Sequence, residues 1–175
     1  QISHRWISRL INNNDNYKII KGVKKAHYKI NIERNAGKVY DTMLGISDKS
    51  TYEKWTATFN PTSTYEGNWM KGHKMRFIGT DEKGDIGGIV SKIHDILPSR
   101  FVSIRHYGLV KGNAELTEGP EVEKWANAYE NYTFDEINGI TTVTVDLDTT
   151  DDFLDYMNET YPKALAKLKE ICENE

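Results

Sequence analysis

DDFLDYMNETYPKALAKLKEICEN, residues 151–174, is the stretch that decides the fold. Its apolar side chains recur at steps of three or four, the spacing of one face of an amphipathic helix. They are Phe153, Met157, Tyr161, Leu165, Leu168 and Cys172. A single helix with so wide an apolar stripe must bury it against another element, and most of the preceding sequence is typical of strands. The sequence therefore predicts a sheet curved around one long C-terminal helix.

The two ends of this helix and its one proline give further expectations. Asp151 and Asp152 can accept hydrogen bonds from free backbone N–H groups and favour the positive end of the helix dipole. Pro162 removes one interior hydrogen bond, so we expect a kink there or a new helix start with Thr160 as its cap.

Size and composition limit the class of protein. The chain has 175 residues and a net charge of −3, which suits one domain and gives no basic field for nucleic acid. Cys172 is the one cysteine, so no internal disulfide can form. We see neither an apolar run of about 18 residues nor a signal-peptide pattern, and we therefore expect a cytoplasmic protein without a membrane span.

Upstream of the helix, strand patterns outnumber helical ones. Residues 25–34, KAHYKINIER, alternate as a half-buried strand does, and two short helices follow, the second capped by Asp48. The Asn138-Gly139 pair predicts a type I′ hairpin turn. The other predicted strands are 64–69, 74–80, 85–97, 100–110, 125–137 and 140–149, with a polar loop at 111–120. Hairpin-length connections indicate antiparallel pairing, so the fold class is α+β.

The chain divides into two unequal parts. Residues 1–22 form an N-terminal arm in which Trp6, Ile7, Leu10 and Ile11 could share one face of a short helix. Either this arm docks a partner or it lies on the surface as an appendage. Residues 23–175 are predicted to form one domain, with no internal repeat.

Several segments resemble the START-like, or SRPBCC, superfamily with its helix-grip fold, and within it the activator of heat-shock-protein ATPase homology family. The segments that carry the resemblance are Arg34 to Tyr40, Trp55, Gly72 to Phe77, Asp95 to Arg100, Tyr132 to Phe134, Gly139, and Tyr161 to Leu165 with Leu168 and Lys169. The resemblance implies a seven-stranded antiparallel sheet that grips the C-terminal helix, two short helices after the first strand, and a cavity for an apolar small molecule.

Strand alternation predicts which side chains face that cavity. For residues 100–110 we prefer the row of Ile104 and His106 inward, because the other row would bury Arg105 without a partner. Trp55 and Trp69 are expected to close the mouth. The predicted pocket residues are Trp55, Trp69, Met75, Phe77, Ile89, Ile93, Ile104, His106, Glu130, Tyr132, Phe134, Val143, Val145, Phe153, Met157, Tyr161 and Leu165.

The function predicted from this pattern is binding of a hydrophobic or aromatic small molecule, such as a lipid, without a cofactor or metal. Glu130 and His106 would orient a polar group of the ligand, or they are packing residues satisfied by neighbours. The sequence has no nucleophile motif, no metal-ligand spacing and no phosphate-binding glycine loop. The alternatives are a regulatory protein that interacts with a chaperone or other partner, and an enzyme on an aromatic or polyketide-like substrate with Glu130 as acid or base.

Overall fold

The computed structural model describes residues 23–174, which form eight strands and four helices. In chain order they are β1 (Lys24–Ile32), α1 (Ala36–Leu44), α2 (Lys49–Thr56), β2 (Thr64–Gly67), β3 (Lys74–Thr80), β4 (Ile86–Leu97), β5 (Phe101–Lys111), β6 (Ala114–Leu116), α3 (Pro120–Glu123), β7 (Tyr129–Ile137), β8 (Ile140–Thr149) and α4 (Asp151–Asn174). The predicted arm, residues 1–22, lies outside the described residues.

All strands pair antiparallel in one sheet, in the order β1-β8-β7-β5-β4-β3-β2. The predicted α+β class and the seven strands of this path are confirmed. The eighth strand, β6, pairs with β5 off the path. Both β6 and α3 fall in or next to residues 111–120, which were predicted as a loop. That stretch is polar and shows neither the alternation of a strand nor the spacing of a helix. The start of β7 was also predicted too early, at Trp125 rather than at Tyr129.

The two short helices follow β1 as predicted, and their ends are set by local hydrogen bonds. Asn35 accepts from the backbone N–H of Lys38 and begins α1, while Asp48 accepts from that of Ser50 and begins α2. Side-chain acceptors of this kind satisfy N–H groups that have no partner within the helix. The buried side of α1 includes Tyr40, which lies edge-on against Phe134 of β7, and the buried side of α2 includes Tyr52 and Trp55.

The long helix α4 is continuous through Pro162, so the predicted new start at Thr160 is wrong. Thr160 is buried within the helix. A proline inside a helix forfeits one hydrogen bond, and the apolar burial on both sides of Pro162 outweighs that loss. Tyr161, Leu165 and Leu168 are all at most 3% exposed, which confirms the stripe as the buried face.

The core lies between the concave face of the sheet and α4. Its sheet side is formed by alternating residues of the central strands, including the Val143 and Val145 row of β8, both fully buried. Tyr28 of β1 stacks on Tyr161 of α4, with ring centroids 4.8 Å apart. The helix α4 packs along β1 over its whole length, from the Lys24–Asp151 ion pair to the hydrogen bond between Lys169 and the backbone of Asn31, and it also packs against α1 and α2.

Replacing Leu168 by alanine should lower the free energy of unfolding by about 2–5 kcal/mol, because it opens a void in a fully buried position. Leu97→Ala is the matched control. Leu97 is 53% exposed, so its truncation should change stability by less than about 0.5 kcal/mol. Urea unfolding of both variants measures the difference. Equal effects would contradict the burial of the α4 stripe.

Candidate ligand-binding cavity

A cavity of about 160 Å³ lies between the first half of α4 and the sheet. Phe153, Met157 and Tyr161 form its helical wall, and α2 with the loop after it closes one side. The floor comes from β3, β4, β5, β7 and β8. The wall is mainly apolar and aromatic, the usual composition of a site for a small organic molecule.

The structure brings many of the predicted pocket residues together around this cavity. They are Trp55, Phe77, Ile89, Ile104, His106, Glu130, Tyr132, Phe153, Met157 and Tyr161. The preferred row of the fifth strand, with Ile104 and His106, faces inward, while Arg105 is partly exposed and contacts Asn127. Whether these residues touch a ligand stays a prediction.

The remaining predicted residues lie away from the cavity wall. They are Trp69, Met75, Ile93, Phe134, Val143, Val145 and Leu165, which pack in the core instead. Phe134 lies edge-on against Tyr40 of α1 and is part of the packed core. Trp69 packs against Tyr52, Tyr65 and Phe77 rather than standing at an opening. Strand alternation correctly predicts which side chains point to the concave face of the sheet. It does not predict which of them lie beside the cavity and which pack in the core.

Sequence reasoning missed part of the wall. The missed residues are Tyr52, Thr56, Phe59, Asn60, Ser63, Ile78, Trp125, Ala128, Leu147, Asp148, Thr149 and Thr150. Tyr52 lies on the same apolar side of α2 as Trp55, and Phe59 lies in the segment just after that helix. Leu147 continues the row of Val143 and Val145. Extending those two patterns would have found them. Trp125 had no such signal, because its segment was predicted as strand.

A polar network crosses the floor of the cavity and centres on Glu130. Its Oε1 accepts hydrogen bonds from the hydroxyls of Tyr132, at 2.8 Å, and Tyr161. Its Oε2 lies 3.3 Å from Nε2 of His106, whose Nδ1 is 2.7 Å from the Ser91 hydroxyl. The side chain of Glu130 is only 16% exposed, and that of His106 only 7%. The network therefore fixes a carboxylate in a largely apolar space.

The surroundings of Glu130 stabilise its charged form. Burial raises the pKa of this carboxyl, but the hydrogen bond and charge of His106 and the two tyrosine hydroxyls outweigh burial. The pKa of Glu130 consequently lies below its ordinary value. Burial, and then the charge of Glu130, raises the pKa of Tyr132 and of Tyr161 well above the usual tyrosine value. Both phenols stay protonated and donate.

The order Ser91, His106, Glu130 resembles a nucleophile–base–acid relay, but its geometry does not suit one. Ser91 is fully buried and is not part of the cavity wall, so its hydroxyl cannot reach a bound molecule. The exposed end of the relay is the carboxylate. Across residues 23–174, no cluster of three His, Cys, Asp or Glu side chains is arranged to hold a metal ion. The arrangement offers a fixed hydrogen-bond acceptor.

Sequence comparisons leave the chain without a family assignment. Protein-family models give no match, and a search of curated proteins gives no significant match. None of the helices within residues 23–174 has the length and apolar character that crossing a membrane requires.

Solved structures match the fold clearly. The Aha1 dimer from Colwellia psychrerythraea aligns with a TM-score of 0.62 at 19% identity, over 86% of this chain and 97% of that one. A protein from Arthrobacter aurescens gives a TM-score of 0.62 at 12% identity, over 90% and 94%. Ara h 8.0201 gives 0.59 at 11% identity, over 86% and 98%. The chain shares the fold of these structures, an antiparallel sheet around a long C-terminal helix, which confirms the predicted helix-grip fold.

The depressed pKa of Glu130 makes part of the stability dependent on pH. A carboxyl whose pKa is lower in the folded state contributes stability above its unfolded value, near 4.5, and loses it as pH falls through the folded value. Glu130→Gln should therefore be less stable than the wild type at pH 7, and this difference should shrink as pH falls below about 4.5.

Urea unfolding at a series of pH values from neutral to acid measures that difference. Asp135→Asn is the control, since it removes a carboxylate from an exposed position of the same strand and should follow the wild type. A gap between Glu130→Gln and wild type that stays constant down to the acid limit would show that Glu130 is not held in its charged form.

Proposed function

We propose that this protein binds a small hydrophobic or aromatic molecule in the cavity between α4 and the sheet. The observation that carries the proposal is the aromatic-lined space of about 160 Å³ with one buried carboxylate on its floor. An apolar protein cavity of about 150 Å³ is large enough to take up benzene. The volume thus suits a ligand with one aromatic ring or a short branched chain inside the cavity.

Glu130 and His106 orient the polar group of this ligand in the proposal. Glu130 is held by two phenols and one imidazole, so its position is set before a ligand arrives. A preorganised acceptor binds without the cost of ordering a flexible side chain. The aromatic and aliphatic wall supplies affinity through burial, and the single acceptor supplies orientation.

Binding is favoured over catalysis because the network offers no accessible nucleophile and the second carboxylate of the wall is already paired. The other carboxylate of the wall, Asp148, contacts Lys25 and accepts from the backbone N–H of Tyr129, which makes it part of the β1–β8 edge. Hydrolysis of a glycosidic bond by a pair of acids requires two carboxyls that both face the substrate. A chaperone partner and a cytoplasmic location stay predictions, to which these contacts add nothing.

Titration with toluene tests the proposal, because toluene has one ring and no polar group. We expect saturable binding, with NMR shifts concentrated in residues of the cavity wall. Met157→Trp should abolish it by filling the space, since Met157 lines the cavity and is partly exposed. Met70→Trp is the matched control at a 57% exposed site outside the wall, and it should bind as the wild type does.

Two outcomes would contradict the proposal. One is the absence of saturable shifts in the wild type at toluene concentrations up to its solubility. The other is equal toluene binding by Met157→Trp and Met70→Trp, which would place the binding site elsewhere.

A further inference from the structure

The charged groups around the cavity are strongly unequal in sign. Among the described residues that form its wall, two are carboxylates, Glu130 and Asp148, and none is Lys or Arg. His106 is the one titratable base. A pocket for a fatty acid or another carboxylate commonly has a Lys or Arg aimed at the anion, and the wall formed by the described residues has neither.

Of the two carboxylates, only Glu130 has no Lys or Arg beside it, and its one basic neighbour is the His106 imidazole. Asp148 is paired with the Lys25 ammonium at the sheet edge. Glu130 receives hydrogen bonds from two neutral phenols and faces one imidazole. If His106 is neutral, the floor of the cavity carries a net charge of −1, and if it is protonated, the charge is zero. In neither state does the floor attract an anion.

Glu130 also keeps capacity to accept a further hydrogen bond. A carboxylate offers about four acceptor positions. Tyr132 and Tyr161 occupy Oε1, and His106 faces Oε2. Oε2 thus retains a position for a donor from the ligand.

The aromatic wall is suited to a positively charged donor, such as an ammonium group. Trp55, Phe59 and Tyr161 line the cavity together with Trp125 and Phe153. The faces of aromatic rings carry partial negative charge and attract ammonium groups, most strongly where water is excluded. A carboxylate on the floor and aromatic rings on the sides are groups that can compensate the desolvation of a cation.

Building on the proposed function, we infer that the natural ligand is an arylalkylamine-like molecule: an apolar, single-ring body bearing a protonated nitrogen that donates to Glu130. The ring occupies the apolar wall and the nitrogen points to the floor. The inference assigns the chemical class of the ligand and no reaction.

Three ligands of nearly the same shape test it: 2-phenylethylamine, 2-phenylethanol and phenylacetate. They present a cation, a neutral hydroxyl and an anion at the same end of one ring. Calorimetric titration at pH 7 should give the amine the lowest dissociation constant, about tenfold or more below that of the alcohol. The reason is that a hydrogen bond between an ammonium donor and a carboxylate acceptor is stronger than one from a neutral hydroxyl. Phenylacetate should bind most weakly.

Two variants locate the preference. Glu130→Gln keeps a side chain of the same size and should reduce the preference for the amine to less than about threefold, while affinity for the alcohol changes little. Asp135→Asn also removes one negative charge, from an exposed position of β7, and should keep the full preference. This control separates a contact with Glu130 from a change in net charge.

Each result has a distinct meaning. If the alcohol binds as tightly as the amine in the wild type, the inference is wrong although the proposed function stands. This comparison needs no variant, so it remains decisive if Glu130→Gln fails to fold. An undiminished amine preference in folded Glu130→Gln also overturns it. If neither toluene nor any of the three ligands binds, the proposed function and the inference both fail.

Discussion

The position of Tyr161 on α4 is the constraint on which the rest of the structure depends. Its ring stacks on Tyr28 of the edge strand β1 and meets Phe59 edge-on, with centroids 4.8 and 5.0 Å away. Its hydroxyl donates to Glu130 on the central strand β7. One residue thus connects the helix to the edge of the sheet, to its centre and to the segment after α2. Beyond this point the helix packs directly on the core, and before it the helix stands over the cavity.

The buried carboxylate of Glu130 is the second feature that the fold must accommodate. Removing a carboxylate from water is costly, and an apolar residue of similar volume is often the more stable choice in a core. Here the hydroxyls of Tyr132 and Tyr161 and the imidazole of His106 offset that cost. Departures from local stability rules are expected at functional sites. A preorganised acceptor inside an aromatic space is consistent with ligand recognition, in addition to the stability that its charged form contributes.

Much of the fold could be predicted from the sequence, because its strongest signals are local. The 3.6-residue period of α4, the cap at Asp48 and the Asn138-Gly139 turn each act within a few residues. Local signals left open whether Pro162 kinks α4 or begins a new helix, because the outcome depends on tertiary burial on both sides of the proline. Alternation identified the inward face, so Glu130 and His106 were found. It could not tell cavity wall from packed core, as with Phe134 and Leu165, because that depends on the path of the helix across the sheet.

The central claim is that the space under the first half of α4 is open to a small apolar guest. Diffraction from crystals held under xenon pressure tests it most directly, since xenon enters apolar cavities of this size and scatters strongly. We predict xenon density between Phe153, Met157 and Tyr161 on one side and Ile104 on the other. Crystals that show no xenon at that position, with the side chains filling the space, would contradict the account.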